Sequence, residues 1–106
     1  MGKLVYGSPS EGYEFDDRTL AHLRVVIVTK LRRGESFTFT WDVSSDAGGG
    51  RISLWMEPSI PLRFVFYGSK EPALSRAWID ALASIAASTV GLVALPEPAQ
   101  QPPAQP

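Results

Sequence analysis

The chain has no cysteine and a single histidine, and those two scarcities remove most of the usual instruments of catalysis. Without cysteine there is no disulfide, no thiolate zinc site, no iron–sulfur cluster and no thiol nucleophile. The same absence suits a reducing compartment, so a cytoplasmic location is expected. A surplus of either charge is missing too: ten Lys/Arg stand against eleven Asp/Glu in 106 residues. No global field therefore draws the chain onto DNA or an anionic membrane, and a nucleic-acid role needs a local basic patch. Long apolar runs are also lacking. The longest tract, Ala81–Leu95, is rich in Ala and Ser, interrupted by Gly91 and short of a bilayer span. The N-terminal apolar run stops at Gly7, Ser8 and Pro9, too early for a secretory signal. A soluble protein with no membrane partner is expected.

What is present reads as one α+β domain over residues 1–95. Lys3–Tyr6 and Tyr13–Phe15 have strand character and are joined by the turn-rich GSPSEG. Asp16 and Asp17 offer carboxylates to the free N–H groups of a following helix, Arg18–Arg33. Lys30, Arg32 and Arg33 suit its negative end, and Gly34 is a left-handed stop. Leu20, Leu23, Ile27 and Leu31 recur on one helix face, valines widen the apolar arc, and Arg18, His22, Thr29 and Arg33 form the polar strip. Arg24 falls inside the arc, which implies a buried pairing with Asp17 or another acid.

Glu35–Val43 alternates without a break: Phe37, Phe39 and Trp41 face one way, Ser36, Thr38, Thr40 and Asp42 the other. Ser44–Gly50 is a flexible connection. Arg51–Glu57 and Leu62–Tyr67 are two further strands, so an antiparallel meander is expected, with Ile52, Leu54, Met56, Leu62, Phe64 and Phe66 facing in. Pro72–Ser88 carries Leu74, Trp78, Leu82 and Ile85 at helical spacing, with Arg76 and Asp80 as an outward pair. Gly91–Leu95 adds a candidate edge strand. The sum is an antiparallel sheet of about five strands with two helices, in the order ββαβββα. From Pro96 to Pro106 the Pro/Gln-rich tail holds no large apolar residue and is expected to be disordered or polyproline-like.

No constellation converges on catalysis, a metal or a cofactor. Asp16 and Asp17 are better placed to cap a helix than to serve as an acid/base pair. His22, without a nucleophile placed by any motif, is expected on the surface. The AGGGR run (Ala47–Arg51) lacks the Lys-Ser/Thr of a phosphate loop and leads into a strand rather than a helix. The candidate contact residues are instead Arg51, Trp55, Arg63 and Tyr67, which interleave aromatics and cations on the second face of the sheet, together with Lys30, Arg32 and Arg33. Such interleaving fits a stacking platform for single-stranded nucleic acid and equally a protein-binding hot spot.

The strings GKLVYGS, FDDRTLAHLRVVIVTKLRRGESF, SLWMEPSIPLRF and PALSRAWIDALASIAASTVGL with a following PEP resemble a family of small, uncharacterised actinobacterial proteins of about one hundred residues. The resemblance runs from Gly2 to about Pro98 and implies a domain of unknown function that often carries the label ATP-dependent DNA ligase. In that family a His typically follows two residues after the Trp of the SLWMEP-like strand; here Glu57 holds that place, so no metal or acid/base role transfers to it. Ligase chemistry requires a Lys nucleophile in a KxDG-type motif. Lys3, Lys30 and Lys70 are followed by LVY, LRR and EPA, so the chain lacks the nucleotidyltransferase motif. The expected function is a non-catalytic binding module associated with nucleic acid, the alternative a homo-oligomeric or adaptor domain.

Overall fold

The computed structural model describes residues 1–98. The architecture is α+β, with two helices and six strands: β1 (Gly2–Tyr6), β2 (Glu11–Phe15), α1 (Asp17–Arg32), β3 (Phe37–Asp42), β4 (Arg51–Met56), β5 (Leu62–Val65), α2 (Arg76–Ala86) and β6 (Leu92–Val93). The strands form two sheets of three, ordered β2-β1-β5 and β4-β3-β6, in place of the single antiparallel sheet of about five that the pattern suggests.

The difference lies in where β5 goes. β3 and β4 form the expected antiparallel hairpin, in register from Phe37–Met56 to Asp42–Arg51. β5 does not extend that meander; it pairs antiparallel with β1, Leu62 opposite Tyr6 and Val65 opposite Lys3. The physical reason is the intervening Glu57–Pro61. Pro58 and Pro61 have no N–H for a ladder, Glu57 caps the turn by accepting from Ser59 N–H at 3.2 Å, and the Pro61 carbonyl accepts from Gly7 N–H at 2.9 Å. The linker is thereby tied to the first hairpin. The vacant side of β3 is taken by β6, which runs parallel to it.

Ser44–Gly50, expected as a flexible connection, contains a short 3₁₀ turn at Ser45–Ala47 and is closed by Val43 N–H donating to Gly50 O at 2.8 Å. Gly91 delivers β6. Its φ is +85°, and a Cβ there would lie 2.8 Å from the Thr38 carbonyl oxygen and nearer still to the Thr38 hydroxyl. Gly91→Ala is therefore expected to be destabilising on two counts: about 1–2 kcal/mol for the left-handed backbone and about 1–3 kcal/mol for overpacking. A urea midpoint equal to that of the parent chain would contradict this.

α1 begins as anticipated. Asp16 is the N-cap, accepting from Thr19 N–H at 3.4 Å. At the far end Glu35 N–H reaches Lys30 O and Gly34 N–H reaches Leu31 O, the paired bonds of a Schellman stop, with Gly34 at φ +75°. α2 starts later than Pro72 because Ser75 caps it, its hydroxyl accepting from Trp78 N–H at 3.2 Å. Leu74 consequently lies outside the helix and is exposed rather than facing the core.

One hydrophobic cluster draws on both sheets and both helices. Phe39, Leu4, Leu20, Leu23, Ile27, Met56, Leu82 and Leu92 are fully buried in it. The inward assignments hold for the strands: Leu54 and Met56 are buried, and Ile52, Leu62, Phe64 and Phe66 pack against the cluster. The sheets meet through aromatic contacts, Phe15 with Trp41 at 5.1 Å edge-on and Phe15 with Phe39 at 6.0 Å stacked. No helix among the described residues is long and apolar enough to cross a membrane.

Two expectations about α1 are overturned. His22 does not lie on the solvent strip; it is completely buried and stacks on Trp78, ring centroids 4.3 Å apart. The helix wheel cannot reveal this, because α2 covers that strip at His22 while Thr29 and Arg33 on the same strip stay exposed. Arg24 is exposed rather than buried against Asp17. Asp17 instead accepts from Gly68 N–H at 2.9 Å, which fixes the chain just after β5.

Candidate binding surface

The alternation of β3 and β4 turns aromatic and aliphatic side chains inward and leaves an outer face built almost wholly of hydroxyls around one aromatic. Cross-strand register defines its rows. Trp55 stands opposite Thr38, whose hydroxyl donates to Val90 O at 3.4 Å. Ser53 stands opposite Thr40, which in turn neighbours Val93 of β6, and the Thr40 and Ser53 hydroxyls are hydrogen-bonded to each other. Arg51 stands opposite Asp42. Trp55 is 54% exposed and Val90 60%, large apolar side chains left in water at one end of an ordered sheet. The Trp55 carbonyl accepts from the Tyr6 hydroxyl at 2.7 Å, which ties β4 to the first sheet and holds the backbone beneath the indole.

Of the seven residues singled out from the sequence, only Arg51 and Trp55 share this face. Arg63 belongs to the other sheet, opposite Val5 on β1. Tyr67 lies two residues past the end of β5 and is 58% exposed. The continuous strip of alternating cations and aromatics does not form, because β5 leaves β4 for β1. Lys30 is engaged: its ammonium lies 2.9 Å from the Glu35 carboxylate and above the Phe37 ring at 5.7 Å. This contact holds the Glu35 carboxyl below its ordinary range. Arg32 and Arg33 remain exposed at the end of α1. Thr38, Ser53 and Val90 complete the face and were not singled out; the alternation of hydroxyls along Ser36–Asp42 was the available signal.

His22 and Arg18 are both tied into the structure. The His22 Nε2 faces Ser75 N–H at 2.7 Å, and a backbone N–H can only donate, so Nε2 holds the lone pair and Nδ1 carries the proton that meets Arg18 O at 2.7 Å. Both ring nitrogens are thus committed, leaving none for a metal or a substrate proton. Among the described residues no group of three or more His, Asp or Glu side chains could hold a metal ion.

Arg18 organises the other side of the molecule. It binds Glu97 in a two-pronged contact at 2.9 and 2.7 Å, donates to Ala73 O and lies 6.0 Å above the Trp78 ring. The Trp78 indole N–H donates to Leu95 O at 2.9 Å. The segment after β6 is therefore strapped across α2 as far as Glu97. Pro96–Pro98 were expected to belong to a disordered tail, but Glu97 is anchored; residues 99–106 lie outside the described residues.

The Arg18 guanidinium holds the Glu97 carboxyl below its ordinary value of 4.5. A carboxyl depressed in the folded state contributes stability above its unfolded value and loses it as pH falls through the folded value. The strap is thus expected to be closed above about pH 4.5 and to loosen below it. An NMR titration of the Arg18 Nε–H signal tests this; Glu97→Gln should abolish the transition, and a transition that survives in the variant belongs to another group.

No curated protein and no solved structure matches the chain. A family model, "Domain of unknown function (DUF7882)", matches residues 1–97, nearly the whole of the region described above. The chain belongs to that family.

Proposed function

We propose that this chain is a non-catalytic binding module whose contact surface is the outer face of the β4-β3-β6 sheet, and that its occupant is a protein surface, in the first instance a second copy of the chain. The observation that carries the proposal is Trp55, 54% exposed in a regular strand, with the exposed Val90 on the far side of Thr38. A half-bare indole ringed by hydroxyls has the composition of an interface hot spot with its rim. The face carries one cation and one acid, Arg51 and Asp42, so it is close to neutral and self-complementary. A two-fold axis would set Arg51 of each copy toward Asp42 of the other, the reciprocal arrangement that a symmetric dimer requires.

Nucleic acid is the second reading, favoured by the exposure of Trp55 and Tyr67 near arginines. Its contacts would be Arg51, Trp55, Arg63, Tyr67 and the Lys30–Arg33 turn. It ranks lower because Arg51 faces Asp42, Lys30 is paired with Glu35, and the seven residues do not share one face. Light scattering across a concentration series, with Trp55→Ala beside the parent chain, separates the two. Truncating a hot-spot Trp typically costs about 2 kcal/mol or more, which is roughly thirtyfold in dissociation constant. Its exposure predicts a folding stability changed by less than about 0.5 kcal/mol. A monomer at every concentration rejects self-association. Salt-dependent binding of labelled oligonucleotides by fluorescence anisotropy, lost in Trp55→Ala, moves the assignment to nucleic acid.

A further inference from the structure

Two concavities lie side by side along α1, one of about 290 Å³ and one of about 200 Å³, and Val25 lines both. The helix contributes a single i, i+4 row to them: Ala21, Val25, Thr29 and Arg33. α2 and its cap face the second with a row of the same spacing, Ile79, Ala83 and Ala87, while Phe66 and Leu74 line the first. The result is one groove, about 18 Å long from Ala21 to Arg33 at the helical rise.

The groove exists because the valines of α1 extend its apolar arc past the faces that the sheets and α2 cover. Val26 is buried, but Val25 and Val28 are only half-buried. Phe66 and Ile79 pack on the core from the groove's floor and are half-covered, and Leu74 is 55% exposed. Ala83 and Ala87 are exposed and small. Small side chains there let another helix approach closely, since the residues at a contact set the distance between helix axes.

The charge along the groove is one-sided. Past Asp17, α1 carries no acid, while Arg24, Arg32 and Arg33 are exposed on it or at its cap. Glu35 neutralises Lys30, but among the described residues Arg24, Arg33 and Lys70 form no salt bridge. The acids on the lining, Asp17 and Glu71, stand at the Ala21 end, and Asp17 already accepts from Gly68 N–H. From Val25 onward the charged lining residues are Lys30 and Arg33.

An apolar row flanked by cations is complementary to a helix with apolar residues at i, i+3, i+4 and i+7 and carboxylates beside them. The groove takes about three turns of such a helix. A flat anionic surface would rest on Arg24, Arg33 and Leu74 and leave the concavity unfilled. Neither helix of this chain fits the description, because α1 has one acid, at its first position, and α2 has one, Asp80. We propose that the α1–α2 groove docks an acidic amphipathic helix of a partner protein, its apolar row against Val25, Ile79 and Ala83 and its carboxylates toward Arg24 and Arg33. The groove shares no residue with the Trp55 face and does not depend on self-association.

The probe is a capped synthetic peptide of about four helical turns, with leucines at i, i+3, i+4 and i+7 and glutamates elsewhere. Its controls are the same peptide with lysine for every glutamate and a scrambled peptide of equal composition. Titrated into the isotope-labelled full chain, the glutamate peptide is expected to shift the amides of Ala21, Val25, Thr29 and Ala83 saturably, with a dissociation constant below about 1 mM. Arg51 and Ser53 should not move. Arg24→Glu combined with Arg33→Glu should weaken the glutamate peptide about tenfold or more and bring the lysine peptide to the groove instead. Ala83→Gln, a good helix former whose side chain fills the groove, should weaken both. Equal shifts from the scrambled peptide or from an oligonucleotide would mean that only charge is read, which overturns the proposal. Charge reversal without effect overturns it as well, as do shifts confined to the Trp55 face or no saturable shift at about 1 mM peptide.

Discussion

Phe39→Ala is expected to cost about 3–5 kcal/mol, the range for truncating a buried Phe. That is most of the stability of a domain whose total lies near 5–15 kcal/mol. Phe39 is fully buried at the junction of the two sheets, stacked on Phe15 from the first sheet and 4.9 Å from Trp41 in its own strand. Each aromatic pairing adds about 0.5–1.5 kcal/mol beyond area burial. The ring is also one of the few links between the sheets, so the void cannot be closed by shifting a single element. The measurement is equilibrium urea unfolding followed by circular dichroism. A loss below about 1 kcal/mol would mean that the site collapses around the void, and that the sheets are held together by something other than this contact.

The second large effect is expected at His22, the residue whose role differs most from its appearance in the chain. His22→Ala removes a fully buried ring stacked on Trp78 and both of its hydrogen bonds. A loss of about 2–5 kcal/mol follows from the cavity alone. His22→Phe separates the contributions. It keeps a ring against Trp78 but offers no acceptor to Ser75 N–H at the start of α2. An unsatisfied buried donor costs about 1–3 kcal/mol, so the Phe variant should fall between the parent and Ala. If it is as stable as the parent, the stacking carries the site and the hydrogen bond is incidental. Because Trp78 also holds the strap through Leu95 O, intrinsic fluorescence should change in both variants.

Much of the local structure was legible in the chain. Asp16 as a cap, Gly34 as a stop, the β3 alternation, the outward Arg76–Asp80 pair at 3.4 Å and the edge strand after Gly91 all follow from rules that act within a few residues. The family was legible as well. The partition into two sheets was not, because it depends on which edge β5 finds, and Leu62 pairs with Tyr6 across more than fifty residues of chain. The contact surface inherited that error. Arg63 and Tyr67 were grouped with Arg51 and Trp55 on the assumption that β5 continues the β4 hairpin; Trp55 and Arg51 stayed together only because they lie on one strand.

The sequence by itself determined the class of fold, the presence and approximate position of both helices, and the inward face of the long strands. Those properties rest on composition and on periodicities of two and 3.6 residues, which act locally. Only the tertiary structure decided that His22 is a buried acceptor rather than a surface residue, that Arg24 is exposed and Arg18 a clamp, and that the Glu57–Pro61 linker is tied to the first hairpin. Each of these depends on what a distant segment brings: Ser75 to His22, Glu97 to Arg18, Pro61 to Gly7. A helix wheel or a strand pattern describes faces, and it takes the packed neighbours to decide which face meets water.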